Sequence, residues 1–447
     1  VTRLLVLKSP RDLARTMGME IKNLPMAAFG MMVEEGYQQK MWLNAMDLDP
    51  KQYANIPFDV RTNCAICGSK LDNAIIELPN FPLTEIYTKY KMKEKIGFVD
   101  QKFHVCSKCG HGQISHIIDQ KLLYGKDYFY RSSTSPTAPK AIDDFISFMK
   151  PHIGRCEKIV DIGCNDLYTL NRLSCMAKYL IGIDPILKGK EQEFNTEKVT
   201  VYGDFAENVI ENFSFDKDLI ISSHTLEHVP EPKLSIKYLL DNATLNTLFA
   251  FQFPCLEALI EDYRFDQIYH QHLNYFSIKS ILYMLNELGA ELIDYKINYG
   301  HWGATMILFR KSKGTNTKIP TAKLENKEIS KRYATFKGSM KRTNECLRSY
   351  RDKELYGYGA ALMLPVLSYH LNNDLSSLKC IIDDDERKNG LYYINLPTVI
   401  RYSENTEDLK EATVLVTAIS AKDNVRKIVA KLISKDVRNI IIPLTEI

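Results

Sequence analysis

Short apolar runs recur along the chain, and most of those after residue 150 close on an acid or a glycine. In one, the β-branched pair Ile159 and Val160 leads into Asp161, Gly163, Cys164, Asn165 and Asp166, and residues 167–177 then read as a helix. That pattern predicts a strand stopping at a tight turn in front of a helix. Residues 178–183 form a second run ending in Asp184, and residues 199–202 a third ending in Gly203, Asp204 and Phe205. A fourth starts at Leu219 and opens into a polar loop holding His224 and His228, and residues 248–254 make a fifth. A helix over 139–149 precedes the series; Ser277 reads as the N-cap of a helix over 278–288, and 290–298 with 305–310 as a closing hairpin. After a basic linker at 311–317 and a charged segment of helical period at 323–350, a second series begins. It runs from a strand and glycine turn at 354–361 through a strand at 378–382 to strands at 414–418 and 439–443. Strands alternating with helices predict an α/β protein with parallel sheets. The first 60 residues show no clean stripe and predict one or two helices or an arm, without visible chemistry.

The turns carry the first chemical signal. In an open α/β sheet the ligand lies beyond the strand ends. There Gly163 allows close backbone approach, Asp161 can accept hydrogen bonds, and Asp184, roughly 20 residues on, stands where an acid grips ribose hydroxyls. Asp204 and Phe205 can flank an adenine. A dinucleotide site would need G-x-G-x-x-G, and the residues after Gly163 lack its second and third glycines.

Composition narrows the field. With 45% hydrophobic and 25% charged residues, the 447-residue chain has the make-up of an ordinary globular protein of two to four domains. Its 58 basic and 55 acidic side chains leave a net charge of +3, too small and dispersed to argue for a nucleic-acid or membrane surface. No apolar run approaches the ~20 residues of a membrane span, and no convincing signal-peptide cleavage site follows the first residues, so a cytoplasmic location is expected. Among ten cysteines are two C-x-x-C-Gly knuckles, Cys64 with Cys67 and Cys106 with Cys109. Two such knuckles make a four-sulfur zinc site with no open position, hence a structural one, with a small strand insertion between its halves; a disulfide framework is the alternative.

Residues 262–277 are the densest polar stretch, with Tyr269, His270, Gln271 and His272 following a strand end. An imidazole there can act as a base near neutral pH, although such histidines serve as often in structure. Residues 122–135, with Tyr124, Tyr128 and Tyr130, read as a half-buried packing strip or a lid. Farther on, Gly357 and Gly359 before a helix can receive a diphosphate, and the acids at 383–386 form a metal site or, more readily, a solvated turn.

The order acid, glycine turn, acid, acid, loop is similar to that of class I methyltransferases. Together with the cysteine knuckles, Tyr128 to Ser133, Phe265 to His272 with Tyr275, and Gly357 to Ala360, it resembles the S-adenosylmethionine-dependent sugar C-methyltransferases acting on nucleotide-linked deoxysugars. The resemblance covers roughly residues 62–447. It implies an N-terminal extension (1–61), a zinc-binding subdomain (62–120), a class I methyltransferase core of Rossmann-like type (121–315) and a C-terminal Rossmann-like α/β domain that seats the nucleotide (316–447). It implies S-adenosylmethionine bound by Asp161, Gly163, Cys164, Asn165, Asp184, Asp204, Phe205 and His224, and structural zinc on the four cysteines. His272 corresponds to the base that removes a proton beside the sugar's keto group, Tyr130 and Tyr269 to substrate-contacting hydroxyls, and His228 to a further pocket residue. Gly357, Tyr358, Gly359 and Ala360 correspond to the nucleotide seat. The partner implied is a nucleotide-linked sugar, with no nucleic acid or membrane; monomer and homodimer are equally compatible with the sequence.

Three departures stand out: Gln271 replaces a glutamate beside the base, Leu167 follows Asp166 where glycine is usual, and Trp302 replaces a glycine after His301. They keep open O- or N-methylation of another small molecule and a non-catalytic binding role. A zinc-ribbon RNA methyltransferase is disfavoured by the lack of a basic face and of an Asn/Asp-Pro-Pro-aromatic loop.

Overall fold

The computed structural model describes residues 6–7, 50–123, 131–133, 135, 137–210, 213–216, 218–312, 314, 325–406, 409–419 and 422–443. The chain forms two compact units, one from residues 57–78 and 101–331 and the other from 79–100 and 332–447 with the described residues before 57. No helix among the described residues is long and apolar enough to cross a membrane.

The first unit is built on a seven-stranded sheet. Its strands are Cys156–Ile162 (β1), Ala177–Ile183 (β2), Val199–Tyr202 (β3), Leu219–Ser223 (β4), Leu248–Pro254 (β5), Ala290–Asn298 (β6) and Ala304–Lys311 (β7). Their spatial order is β3-β2-β1-β4-β5-β7-β6. β1 to β5 pair in parallel, whereas β7 runs antiparallel between β5 and β6. A dinucleotide fold keeps the order 3-2-1-4-5-6, so the inserted antiparallel strand separates this sheet from it and gives the class I methyltransferase arrangement. Burial explains why these runs are strands: successive residues pack into cores on opposite faces. Val160, Ile220 and Phe249 lie in one core, while their neighbours Ile159, Leu219, Ile221 and Ala250 lie in the other. Parallel strands covered on both faces read as nearly continuous apolar runs.

The same unit holds the cysteine knuckles. Cys64 Sγ lies 3.6 Å from Cys109 Sγ, and Cys67 Sγ 3.5 Å from Cys106 Sγ. A tetrahedral zinc with bonds of about 2.3 Å has sulfur–sulfur edges of about 3.8 Å, so the donors are already arranged for the ion. Gly68 and Gly110, both at positive φ, turn the chain after each knuckle, and each amide returns to the first cysteine's carbonyl. The interval between knuckles does contain strands, Ile76–Pro82 and Phe98–Val105. Phe98–Val105 pairs with Gly112–Ile114, which pairs in turn with Asn274–Tyr275, two residues beyond His272. The ribbon is thus hydrogen-bonded to the segment that carries the candidate base.

In the second unit, Leu355–Tyr358 (β8), Ile381–Asp383 (β9), Ile400–Tyr402 (β10), Thr413–Val416 (β11) and Asn439–Ile441 (β12) form a parallel sheet in the order β10-β9-β8-β11-β12. Val6–Leu7 adds antiparallel to the β12 edge, and Tyr87–Thr88 pairs with Tyr392–Tyr393. The charged segment before β8 is one helix, Asn326–Ser349.

Candidate active site

A cavity of about 900 Å3 lies beyond the C-terminal ends of the core strands, with Gly163, Asn165, Asp184, Phe205, His224 and His228 on its wall. Gly163 has φ +78°, and a Cβ there would meet Thr225 Oγ1 at 2.0 Å, so only glycine lets the β1 turn pack against the loop after β4. Asp184 accepts from the Asn165 amide (2.8 Å) and the Ile186 amide (3.0 Å), fixing the turn to the end of β2. Asp204 Oδ1 accepts from the Phe205 amide and from Asn208 Nδ2, both at 2.8 Å, and the Asn208 bond leads the effects that lower its pKa. Phe205 remains 46% exposed and offers a flat apolar face to the cavity. Cys164 is buried in the core beneath the turn.

Asp161 sits at the tip of β1, buried, with Oδ1 unpartnered among the described residues. Burial, reinforced by Asp184 and Asp166, pushes its pKa up to about 8. Asp166 Oδ1 is likewise buried and unpartnered, while its Oδ2 accepts from the Ser133 amide at 2.9 Å. The Ser132 amide bonds Asn165 Oδ1 at 3.3 Å, so the end of the tyrosine-rich segment is tied to this turn. Two orphaned carboxylate oxygens beside a glycine turn fit the ammonium of a methionine moiety, as S-adenosylmethionine would present it. Tyr124, Tyr128 and Tyr130 lie outside the described residues.

At the other end of the cavity the chain leaves β4 with His224 at φ +53° and enters a 3-10 turn, Leu226–His228. The three-residue spacing lets His224 Nδ1 bond Glu227 Oε1 at 3.1 Å. His228 donates from Nδ1 to the Gln271 carbonyl at 2.8 Å. His272 stacks edge-on against His228, ring centroids 4.9 Å apart, and its Nε2 lies 2.7 Å from the Tyr269 hydroxyl. His272 is therefore one ring behind the cavity wall. Its pKa is depressed well below the usual imidazole value, first by burial and then by His228 and His224, so it is neutral near pH 7 with Nδ1 unpartnered. The loop is held by a buried two-point ion pair between Arg264 and Asp266 (2.8 and 2.7 Å) and by the Tyr275 hydroxyl, which meets the Tyr269 amide and the Gln267 carbonyl. His270 turns elsewhere, its Nδ1 3.2 Å from Gln101 Nε2.

Residues 136–295 match the family model described as "Methyltransferase domain". The core is a methyltransferase domain of the S-adenosylmethionine-dependent class. Residues 64–124 match a second model, described as "Putative zinc binding domain", and contain all four knuckle cysteines. The chain is 22% identical over 210 residues to the C-methyltransferase NovU of Streptomyces niveus, a match covering 45% of this chain and about half (49%) of that protein. Among solved structures, magnesium protoporphyrin IX methyltransferase from Synechocystis PCC 6803 is 14% identical, covering 39% of this chain and 83% of that one at a TM-score of 0.31. The N-methyltransferase NodS from Bradyrhizobium japonicum WM9 is 12% identical, covering 40% and 99% at 0.30. Scores this low add nothing about chemistry.

The methyltransferase domain thus gathers Gly163, Asn165, Asp184, Asp204, Phe205, His224 and His228 around one cavity, with Asp161 buried at the tip of β1 and with His272 and Tyr269 directly behind His228. Gly357, Tyr358, Gly359 and Ala360 lie in the other unit, at the tip of β8. There the Ala360 amide donates to Asp383 Oδ2 at 2.6 Å, and Lys388 Nζ bonds the Ala360 carbonyl and Asp383. The acids at 383–385 are engaged by protein groups: Asp384 with Tyr358 and Lys431, Asp385 with Arg387. Sequence reasoning gave no role to Glu227, and took His301 only as part of a departure. Glu227 is fully buried between His224 and His228, and His301 lies on the cavity wall stacked on Trp302. The His-x-x-Glu-His spacing after a strand was the signal for Glu227; for His301 there was none.

Proposed function

We propose that the protein methylates the carbon beside the keto group of a nucleotide-linked deoxysugar, with His272 removing the proton from that carbon. S-adenosylmethionine supplies the electrophilic methyl group. Asp161 and Asp166 would hold its ammonium, Asp184 its ribose and Phe205 its adenine. The observation that carries the reading is the neutral, buried His272, unpartnered at Nδ1 and bonded through Nε2 to Tyr269, next to His228 on the wall of the cofactor cavity. A neutral imidazole accepts a proton, and a phenol on its far nitrogen fixes the ring and stabilises the charge that develops. The carbon–hydrogen pair then becomes the new carbon–methyl bond as the sulfonium carbon–sulfur bond breaks. The likeness to a C-methyltransferase supports carbon over oxygen as acceptor. A nucleotide seat at Gly357, Tyr358, Gly359 and Ala360 belongs to the same proposal.

A keto-sugar nucleotide deuterated at the acidic position tests it. Deuterium should wash out in the wild type and at least 100-fold more slowly in His272→Asn, with S-adenosylmethionine binding unchanged in that variant. Methyl transfer with full retention of deuterium would overturn the reading.

A further inference from the structure

Glu227 is harder to explain than the rest of the pocket. Its carboxylate is fully buried; Oε1 accepts from His224 Nδ1 at 3.1 Å, and Oε2 has no partner among the described residues. No lysine or arginine pairs with it among those residues, whereas Asp266, buried in the loop before His272, is matched by Arg264 at 2.7 Å. A buried carboxylate without a cation is costly, and a native structure rarely leaves one without a function. The turn that carries Glu227 is locked to the segment of the candidate base. The Leu273 amide donates to the Glu227 carbonyl at 2.8 Å and His228 Nδ1 to the Gln271 carbonyl at 2.8 Å, so the two segments are joined on either side of His272. A Glu227 carboxylate oxygen lies within 4.8 Å of a His272 ring nitrogen. His272 is itself 3% exposed, and Gln271 beside it is neutral. A proton taken by His272 therefore places a charge out of water, against the His228 ring, where only a nearby opposite charge makes it tolerable. The Tyr269 phenol on Nε2 orients the ring but brings no negative charge.

We propose that Glu227 is the counter-charge of His272, a positioning residue that holds a carboxylate beside the imidazolium formed when the proton is removed. The inference rests on the methyl-transfer reading and leaves His272 as its base. In the resting protein the carboxylate is the unbalanced charge and His272 is neutral. As the carbon–hydrogen bond breaks, the proton goes to His272 Nδ1 and the electron pair stays on the acceptor as the enolate. Glu227 and His272 then form an ion pair, and the enolate carbon takes the methyl group from the sulfonium. The bond from His224 keeps the carboxylate from turning away.

Glu227→Gln isolates the charge, because an amide oxygen still accepts from His224 and fills the same space. Deuterium washout from the keto-sugar nucleotide, at saturating S-adenosylmethionine, should slow about tenfold or more in kcat with KM unchanged. Glu227→Asp, which keeps the charge, should recover most of that loss. In a His272→Asn background either substitution should cost nothing further, because groups that act as a unit are not additive. Circular dichroism and calorimetry with S-adenosylmethionine establish folding and cofactor binding, and running the cycle with both substitutions keeps the misfolding of one from deciding the result. An undiminished rate in folded Glu227→Gln, a loss carried by KM, or additive losses in the double variants overturns the proposal and leaves His272 as base. Methyl transfer by the wild type with deuterium retained removes the base and its counter-charge together.

Discussion

Asp161 makes the cofactor-free protein sensitive to pH in an unusual direction. Its folded pKa of about 8 lies above the ordinary value of 3.8. Between those limits the folded state holds a proton that the unfolded chain has released, so stability falls as pH rises, by up to about 1.4 kcal/mol per unit. Thermal unfolding of the cofactor-free protein between pH 5 and 8 should show this slope, and Asp161→Asn should flatten it. Saturating S-adenosylmethionine should do the same, because an ammonium beside the carboxylate restores its charged form. At this scale the sequence was most legible where backbone geometry decides: Gly163 falls at the tight turn after β1 and Asp184 at the end of β2, as the pattern predicts. It was least legible for burial. The Gln271 side chain differs from the glutamate of the resemblance, yet the contact that holds His228 is the Gln271 backbone carbonyl, which no side-chain comparison reveals.

Among the elements, the strand Asn274–Tyr275 links the zinc ribbon to the candidate base. The second knuckle leads through Gly110 to His111, whose Nε2 meets Asn274 Oδ1 at 3.2 Å, and Asn274 Nδ2 donates to the Val229 carbonyl at 2.7 Å, just past His228. The structural zinc expected on the four cysteines would therefore close the ribbon that is hydrogen-bonded to the segment carrying His272 and to the turn after His228. Stripping zinc should raise amide exchange over 265–276 before the β1 to β5 strands open, as mass spectrometry would register. Asn274→Ala should lower methyl transfer about tenfold or more with zinc retained. The core strands, the hairpin and the Ser277 cap were readable because period and capping are local properties. The pairing of Asn274–Tyr275 with a ribbon about 160 residues earlier was not, since two residues of strand carry no periodic signal.

For the molecule as a whole, the cavity belongs entirely to the unit made of residues 57–78 and 101–331. S-adenosylmethionine at a hundred times its dissociation constant should stabilise that unit by about 2.7 kcal/mol. In differential scanning calorimetry it should raise the transition reported by that unit and leave that of the other in place; an equal shift in both would mean they unfold as one. Two largely parallel sheets, each with a glycine turn after a central strand, followed from the alternation of strands and helices. The assignment of 79–100 to the second unit did not, because nothing in a local window marks a chain that leaves one core and returns to it.

That excursion bears on how the protein is made. Tyr87–Thr88 finds its pairing partner, Tyr392–Tyr393, about 300 residues later in the chain. At about 5–20 residues per second, a ribosome needs roughly 15 to 60 seconds to deliver it. Throughout that interval the nascent segment presents an unpaired strand edge with the apolar side chains of Phe81, Leu83 and Tyr87 still in water, the kind of surface that holdase chaperones capture.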